Sequence, residues 1–196
     1  MFAVVFEVEP KPERFDEYLR IAGELRPDLL GIDGFLDNRR FSSRRHPGRL
    51  LSLSLWRDEA SVIRWRTHAA HKAAQLAGRT DIFRGFHLRV GEVISGYAVT
   101  PPRPGSRDAQ ANSPRAVSVV ETPDSELPPS LSGLLDWDLF DGITIAGQLL
   151  MLLSWQDAAA MLAWPERGGA VRHDVRVVRD YGLRDRAEAP GRLSPL

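Results

Sequence analysis

The chain has 196 residues, 43% hydrophobic and 27% charged, which is enough apolar material for a real core and too much for a wholly disordered polymer. Basic and acidic residues balance at 26 each, and with no recognition motif in view this neutrality argues against a nucleic-acid partner. The absence of cysteine excludes disulfides, thiolate nucleophiles and cysteine-bound zinc or iron–sulfur centres, and it fits a reducing compartment.

Residues 2–9 alternate as a strand, and Pro10 and Pro12 punctuate the turn that follows. The N-terminal stretch has neither the basic start nor the sustained apolar run of a signal peptide. Apolar runs such as Leu149 to Leu153 are too short to span a bilayer, so a cytoplasmic protein with no membrane partner is expected. A helix is predicted from about Glu13, because Phe15, Tyr18, Ile21, Ala22, Leu25 and Leu29 recur at three- and four-residue steps, with Pro27 disturbing its last turn. Gly31 and Gly34 lead into a strand over 35–42, and the segment 46–49 (HPGR) is a turn before a strand over 50–56. Arg39, Arg40, Arg44, Arg45 and Arg49 make this hairpin the most basic stretch of the chain. Such a patch either meets an anion or is a solvated hairpin whose arginines pair with neighbouring acids.

Asp58 can cap a second helix running to about Ala77 and closed by Gly78, with Val62, Trp65, Ala69, Ala73 and Leu76 as its core stripe. A strand over 86–94 follows, with Gly96 and Tyr97 beyond it. The order β-α-β-β-α-β is the split βαβ, ferredoxin-like α+β arrangement. Two helices cover one face of such a sheet, so the other face must pack on another copy, on a second unit of the chain or on a ligand.

Residues 100–114 read as a linker, and 116–120 as another strand. Leu50–Trp65 (LLSLSLWRDEASVIRW) then matches Leu149–Trp164 (LLMLLSWQDAAAMLAW) without a gap, pairing Trp56 with Trp155, Asp58 with Asp157 and Trp65 with Trp164. The expected organisation is a full unit at 1–99, a reduced second unit at 115–185 and a tail at 186–196. The second unit has only a short segment, about 131–140, where the first helix should lie, and Pro165 stops its second helix early. The fold class is therefore an α+β barrel of two ferredoxin-like units, either a tandem pseudo-dimer within one chain or a dimer of two chains. A homodimer is the expectation, because reduced repeats leave apolar edges to cover.

The strongest candidate site lies on the second helix, where Arg64, His68, His71 and Gln75 fall on one strip at spacings of four, three and four. One histidine can act as general base near neutral pH, the other can orient a substrate, and Arg64 can hold an enolate or carboxylate. Either histidine can alternatively ligate a haem iron, and the bland reading is a solvated helix face. A metal site is not expected, since neither HExxH nor an equivalent helical set is present. His87 lies on the fourth strand, where its face decides its role, and His173 in the reduced unit reads as a fold residue. Trp65 can serve the core and a pocket wall together, Trp56 and Trp155 mark the core, and Tyr18 and Tyr97 either pack or present hydroxyls to a ligand. No phosphate-binding glycine loop, nucleotide fingerprint, GxSxG elbow or Ser–His–Asp pattern is visible.

On FAVVFEVEPKPERFDEYL at the start, GFLDNRRFSS, PGRLLSLSLWRDEASVIRW and HAAHKAAQLAGR, the first unit resembles the antibiotic biosynthesis monooxygenase domain of the dimeric α+β barrel superfamily. The resemblance covers 2–97 well and 116–182 weakly. It implies a ligand pocket between sheet and helices, and sheets that meet to form the barrel. It also implies a choice of activities: cofactor-free oxygenation of aromatic polyketides, haem degradation, or ligand binding without turnover. Haem-degrading members place an asparagine on the first strand and a tryptophan and a histidine on the second helix. Trp65 matches the tryptophan and His71 is the counterpart of the histidine, but the first strand offers Phe6, Glu7 and Val8 and no asparagine. The expected function is a cofactor-independent monooxygenase acting on a small aromatic or polyketide-like molecule. In it His71 or His68 is the base, Arg64 the charge stabiliser, and Trp65, Gln75 and Tyr18 bind the substrate. The alternatives are a haem enzyme with His71 or His68 on iron, and a non-catalytic barrel.

Overall fold

The structure, a computed structural model, describes residues 1–94, 115–122, 131–165 and 170–190. Tyr97, the linker and the last six residues of the tail lie outside them. The first half runs β1 (Phe2–Pro10), a 3-10 turn (Pro12–Arg14), α1 (Phe15–Glu24), α2 (Arg26–Leu30), β2 (Phe35–Ser43), β3 (Leu50–Trp56), α3 (Glu59–Thr67), α4 (Ala69–Ala77), a π turn (Gly78–Ile82) and β4 (Phe83–Val93). The second half runs β5 (Ala116–Glu121), β6 (Leu134–Gly142), β7 (Leu149–Trp155), α5 (Ala158–Ala163) and β8 (Val171–Gly182).

All eight strands form one closed barrel within the single chain, in the order β1-β3-β2-β6-β7-β5-β8-β4. The first half contributes β4-β1-β3-β2 and the second β8-β5-β7-β6, so both show the split arrangement expected of ferredoxin-like units. Closure removes free sheet edges. One junction, β4 against β8, pairs over most of both strands; the other, β2 against β6, pairs only at Phe41↔Gly142, Ser42↔Asp141 and Ser43↔Phe140. Side chains reinforce the short one. Ser43 donates to Asp138 at 2.7 Å, Arg44 forks onto Asp141 at 2.8 and 2.6 Å, and Arg45 lies over Trp137, 4.6 Å from its ring centre.

Period-two alternation fills the interior: Ala3 and Val5, Leu51 and Leu53, Val117 and Val119, and Leu150 and Leu152 form one buried cluster with Phe41 and Phe140. Towards the ends this layer turns ionic. Arg89, 2% exposed, donates to Glu7 and, at 2.7 Å, to Ser154 across the barrel, while Arg39 meets Glu121 at 2.5 Å. His87 and His173 also face inward: His87 sits between Asp180 and Glu7, and burial lowers the pKa of His173.

The halves share local devices at an offset of 99. Gly34 and Gly133 carry φ of +84° and +76°, and an added Cβ would strike Ser61 or Ala160. Their carbonyls accept from Arg57 and Gln156, both at 2.8 Å. Asp58 and Asp157 cap the next helices, accepting from Ser61 N and Ala160 N, again at 2.8 Å.

Two elements depart from expectation. The segment expected near 131–140 at the first-helix position is strand β6, launched by Gly133 as β2 is by Gly34; only residues 122–133 separate it from β5. The second helix is two, broken at His68, whose ψ of 134° is extended. Thr67 contributes to the stop, because its hydroxyl donates to the Ile63 carbonyl at 2.8 Å and competes with backbone donors. The break resets the helical phase, so Ala69, Ala73 and Leu76 of the expected core stripe are exposed, Leu76 by 56%.

Candidate functional site

A cavity of about 780 Å³ lies between the outer face of the first half's strands and its helices. The apolar stripe of α1 and α2 packs partly into the core and forms one wall, through Tyr18, Ile21, Leu25 and Leu29. Phe6, Phe83 and Phe86 meet edge to face or tilted at 5.7 to 6.2 Å and make an aromatic corner. The floor holds a polar strip from β2 and β3: Asn38 donates to Ser52 Oγ at 3.0 Å and to the Leu53 carbonyl at 3.1 Å, and Ser54 accepts from the Trp56 indole at 2.9 Å.

The helix break shapes the opposite wall. In an unbroken helix the Trp65 carbonyl would accept from residue 69. At the break it accepts instead from the His68 amide at 3.1 Å and from His71 Nδ1 at 2.9 Å, and the His71 ring lies face to face on Trp65 with centres 4.2 Å apart and planes at 14°. With Nδ1 donating, Nε2 carries the lone pair. Burial lowers the His71 pKa to about 4, a shift to which the nearby His68 adds and which the bond to Trp65 opposes. The ring is therefore neutral at pH 7. Gln75 closes the group, its amide 3.3 Å from the Arg66 carbonyl and 3.2 Å from His71 Nδ1.

Of the six residues singled out from the sequence, Trp65, His71, Gln75 and Tyr18 line the cavity. Arg64 and His68 do not line it. Arg64 turns to the α2–β2 turn, donating to the Asp33 carbonyl at 2.9 Å and to Ser61 Oγ at 2.7 Å. His68 sits at the N-cap position of α4 without a capping side-chain hydrogen bond, its Nδ1 4.0 Å from Asp28. The continuous strip from Arg64 to Gln75 required an unbroken helix, and the break divides it.

Arg40 belongs to the basic hairpin noted in the sequence, but Asn38, Ser52 and Ser54 were not selected there. Asn38 and Arg40 alternate on the outer face of β2, and Ser52 and Ser54 on β3, a polar face that period two makes visible. Arg179, Tyr181 and Arg186 arrive from the second half and its tail, which no local pattern signals. Burial raises the Tyr181 phenol, against the pull of Arg66, Arg186, Arg179 and Arg79. The tail is tied back, with Glu188 accepting from Arg115 at 3.0 Å and from the Asp180 amide at 2.7 Å.

Among the described residues no cluster of three or more His, Asp or Glu is placed to hold a metal ion, and no helix is long and apolar enough to cross a membrane.

A family model described as antibiotic biosynthesis monooxygenase matches residues 1–77. Solved structures are similar over part of the chain. One is a conserved protein of Methanosarcina mazei, 20% identical over 45% of this chain and 88% of its own, with a TM-score of 0.42. Another is a Pseudomonas aeruginosa protein, 13% identical over 48% and 94%, with a TM-score of 0.43. A curated relative from Pyricularia oryzae, named jasmonate monooxygenase, is 39% identical over 97% of both chains. That likeness, running through both halves, makes this chain a member of the antibiotic biosynthesis monooxygenase family, with monooxygenation as its class of activity.

Proposed function

We propose that the chain is a cofactor-independent monooxygenase acting on a small, largely apolar molecule with an acidic C–H or O–H group, and that His71 is its base. The observation that carries this reading is the neutral His71 stacked on Trp65 in the cavity wall, with Nδ1 committed to a carbonyl and Nε2 free to take a proton. The imidazolium so formed is stabilised by the substrate anion it has just created. The anion gives an electron pair to O₂ and forms a C–O bond, and loss of water from the hydroperoxide leaves a carbonyl. The balance, CH₂ + O₂ → C=O + H₂O, needs no external reductant. Trp65, Gln75 and Tyr18 position the substrate, and the jasmonate in the relative's name makes that compound the first to test, ahead of phenolic polyketide-like molecules.

In this reading the chain is a tandem duplication, with 1–99 holding the site, 115–185 completing the barrel and 186–190 closing one wall. A homodimer, if formed, uses a surface other than strand edges, and size-exclusion chromatography with light scattering measures it. In the haem alternative His71 Nε2 would hold the iron, and His68, off the lining, would not.

The test is oxygen uptake by purified protein with jasmonate and with a phenolic panel. His71→Ala is expected to lower turnover by about a hundredfold or more, and an unchanged rate overturns the base assignment. A one-to-one Soret shift with hemin, lost in His71→Ala, would move the assignment to a haem enzyme. Ligand binding without oxygen uptake would leave a non-catalytic barrel.

A further inference from the structure

The basic hairpin offered two readings, and its arginines divide between them. Arg39 is paired with Glu121 at 2.5 Å and Asp37 at 2.7 Å, Arg44 with Asp141 at 2.6 Å, Arg45 with Asp136 at 3.5 Å and Arg49 with Glu9 at 2.8 Å. Arg40 is different. It points from the outer face of β2 into the cavity, its Nε is buried without a hydrogen-bond partner, and among the described residues no carboxylate lies within ion-pair distance of it. Its surroundings are neutral: Asn38 two residues before, Ser52 across the strand pair, and the buried Tyr18 hydroxyl, which the guanidinium approaches. Arg40 is half-buried, and its Nε is cut off from both water and partners, a donor that an anion in the cavity would complete.

The position is also held firmly. The Arg40 amide donates to Thr144 Oγ1 at 2.9 Å, and its carbonyl accepts from the Ile143 and Thr144 amides at 2.8 and 3.2 Å. The hairpin of the second half thus clamps the strand that carries Arg40, which is preorganisation of the kind a binding group needs.

We propose that Arg40 anchors the acidic group of the substrate, with Tyr18 and Asn38 beside it, so that the substrate is a small apolar carboxylic acid. A single unpaired guanidinium against an otherwise neutral floor suits one carboxylate better than a phosphate dianion, and its planar fork matches carboxylate geometry. The apolar body then lies along Phe6, Phe83 and Phe86. This inference rests on the cavity being the substrate site but not on His71 being the base. Its rival is the group Arg66, Arg79 and Arg186 around Tyr181.

Binding rather than turnover tests it, by titrating 4-phenylbutyrate and decanoate, and the methyl ester of each, into the full-length protein and following tryptophan fluorescence. The acids are expected to bind roughly ten- to a hundredfold more tightly than their esters. Arg40→Gln should remove that preference while leaving ester affinity in place, Arg40→Lys should restore part of it, and the double variant Arg66→Gln/Arg79→Gln should keep it. Retained ester affinity shows that Arg40→Gln is folded around an intact cavity. Equal binding of acid and ester by the unaltered protein, or no binding of either, overturns the proposal. So does a preference that survives Arg40→Gln and disappears in the double variant. His71→Ala is expected to keep the acid preference, so loss of turnover there with the preference intact separates the fate of the base from that of the anchor.

Discussion

The two halves of the barrel use the same strand order, the same turn glycines and the same helix cap, yet one encloses a cavity where the described residues of the other pack their tryptophans together. In the first half Trp65 is half-buried and shares its face with His71. In the second, Trp164 is 4% exposed, lies 5.8 Å from Trp155 and packs with the fully buried Met161. Arg172 seals this arrangement, stacking 4.6 Å over the Trp164 ring and donating to the Met161 and Trp164 carbonyls, both at 2.8 Å. The difference comes from what spans the outer face. Four helices and a π turn arch over the first half's strands and leave room beneath, whereas α5 is only six residues long and sits directly on the second half's strands. The same strand frame therefore supports either outcome, and the covering elements decide between a binding site and a core.

Matched substitutions break this comparison most sharply at the paired tryptophans. Trp164→Ala removes a fully packed ring from a core with little room to relax and is expected to destabilise the fold by about 3–5 kcal/mol. Trp65→Ala opens an existing cavity further, leaves His71 unstacked, and is expected to cost about 1–2 kcal/mol while abolishing turnover. Urea unfolding followed by circular dichroism measures both. Equal losses would mean that Trp65 is as much a core residue as Trp164, and the contrast between the halves would fail.

A smaller effect comes from His71, which has no counterpart among the described residues of the second half. Its folded pKa of about 4 lies below its ordinary value of 6.5, so between those values the unfolded chain binds the extra proton. The stability this residue contributes is complete above pH 6.5 and is lost as pH falls towards 4, by about 3 kcal/mol. His71→Gln should flatten that segment of the stability–pH curve. A curve unchanged by the substitution would show that His71 titrates normally and is not held in the buried, neutral state the proposed base requires.

Much of this architecture was legible in the sequence because it is written in local signals. Alternation marked β1 and β3, the α1 stripe was placed correctly, and the paired Trp-x-Asp segments located both cap positions. The reading failed where a tertiary contact overruled a pattern. Residues 131–140 carry the alternation of a strand, but comparison with the first half suggested a helix position. Nothing in the run from Asp58 to Ala77 announces the break at His68, since neither glycine nor proline interrupts it. The cavity was half legible: Trp65, His71, Gln75 and Tyr18 lie on elements that could be drawn in advance, whereas Arg40 stands out only once the acids beside its four basic neighbours are known. Arg179 and Tyr181 reach the cavity through barrel closure, which local periodicity does not encode.

The smallest predicted effect tests how alike the halves are where neither bears a function. Gly48 and Gly147 sit at equivalent places in the β2–β3 and β6–β7 turns, with φ of +84° and +81°, and an added Cβ would meet nothing within 4 Å at either. Alanine there adds no clash, so the cost is the left-handed backbone conformation alone, about 1 kcal/mol in each case. The two variants should agree within roughly 0.5 kcal/mol, because distant turns with the same geometry behave independently in a barrel that unfolds as one unit. A much smaller loss for Gly147→Ala than for Gly48→Ala would mean that the second half opens separately, before the first. The β2–β6 junction, with its three paired positions, is where that separation would begin. Since β2 carries Arg40 and is clamped by the β6–β7 turn, such an opening would also loosen the cavity floor, and ligand binding would then raise the stability of the Gly147→Ala variant more than that of the Gly48→Ala variant.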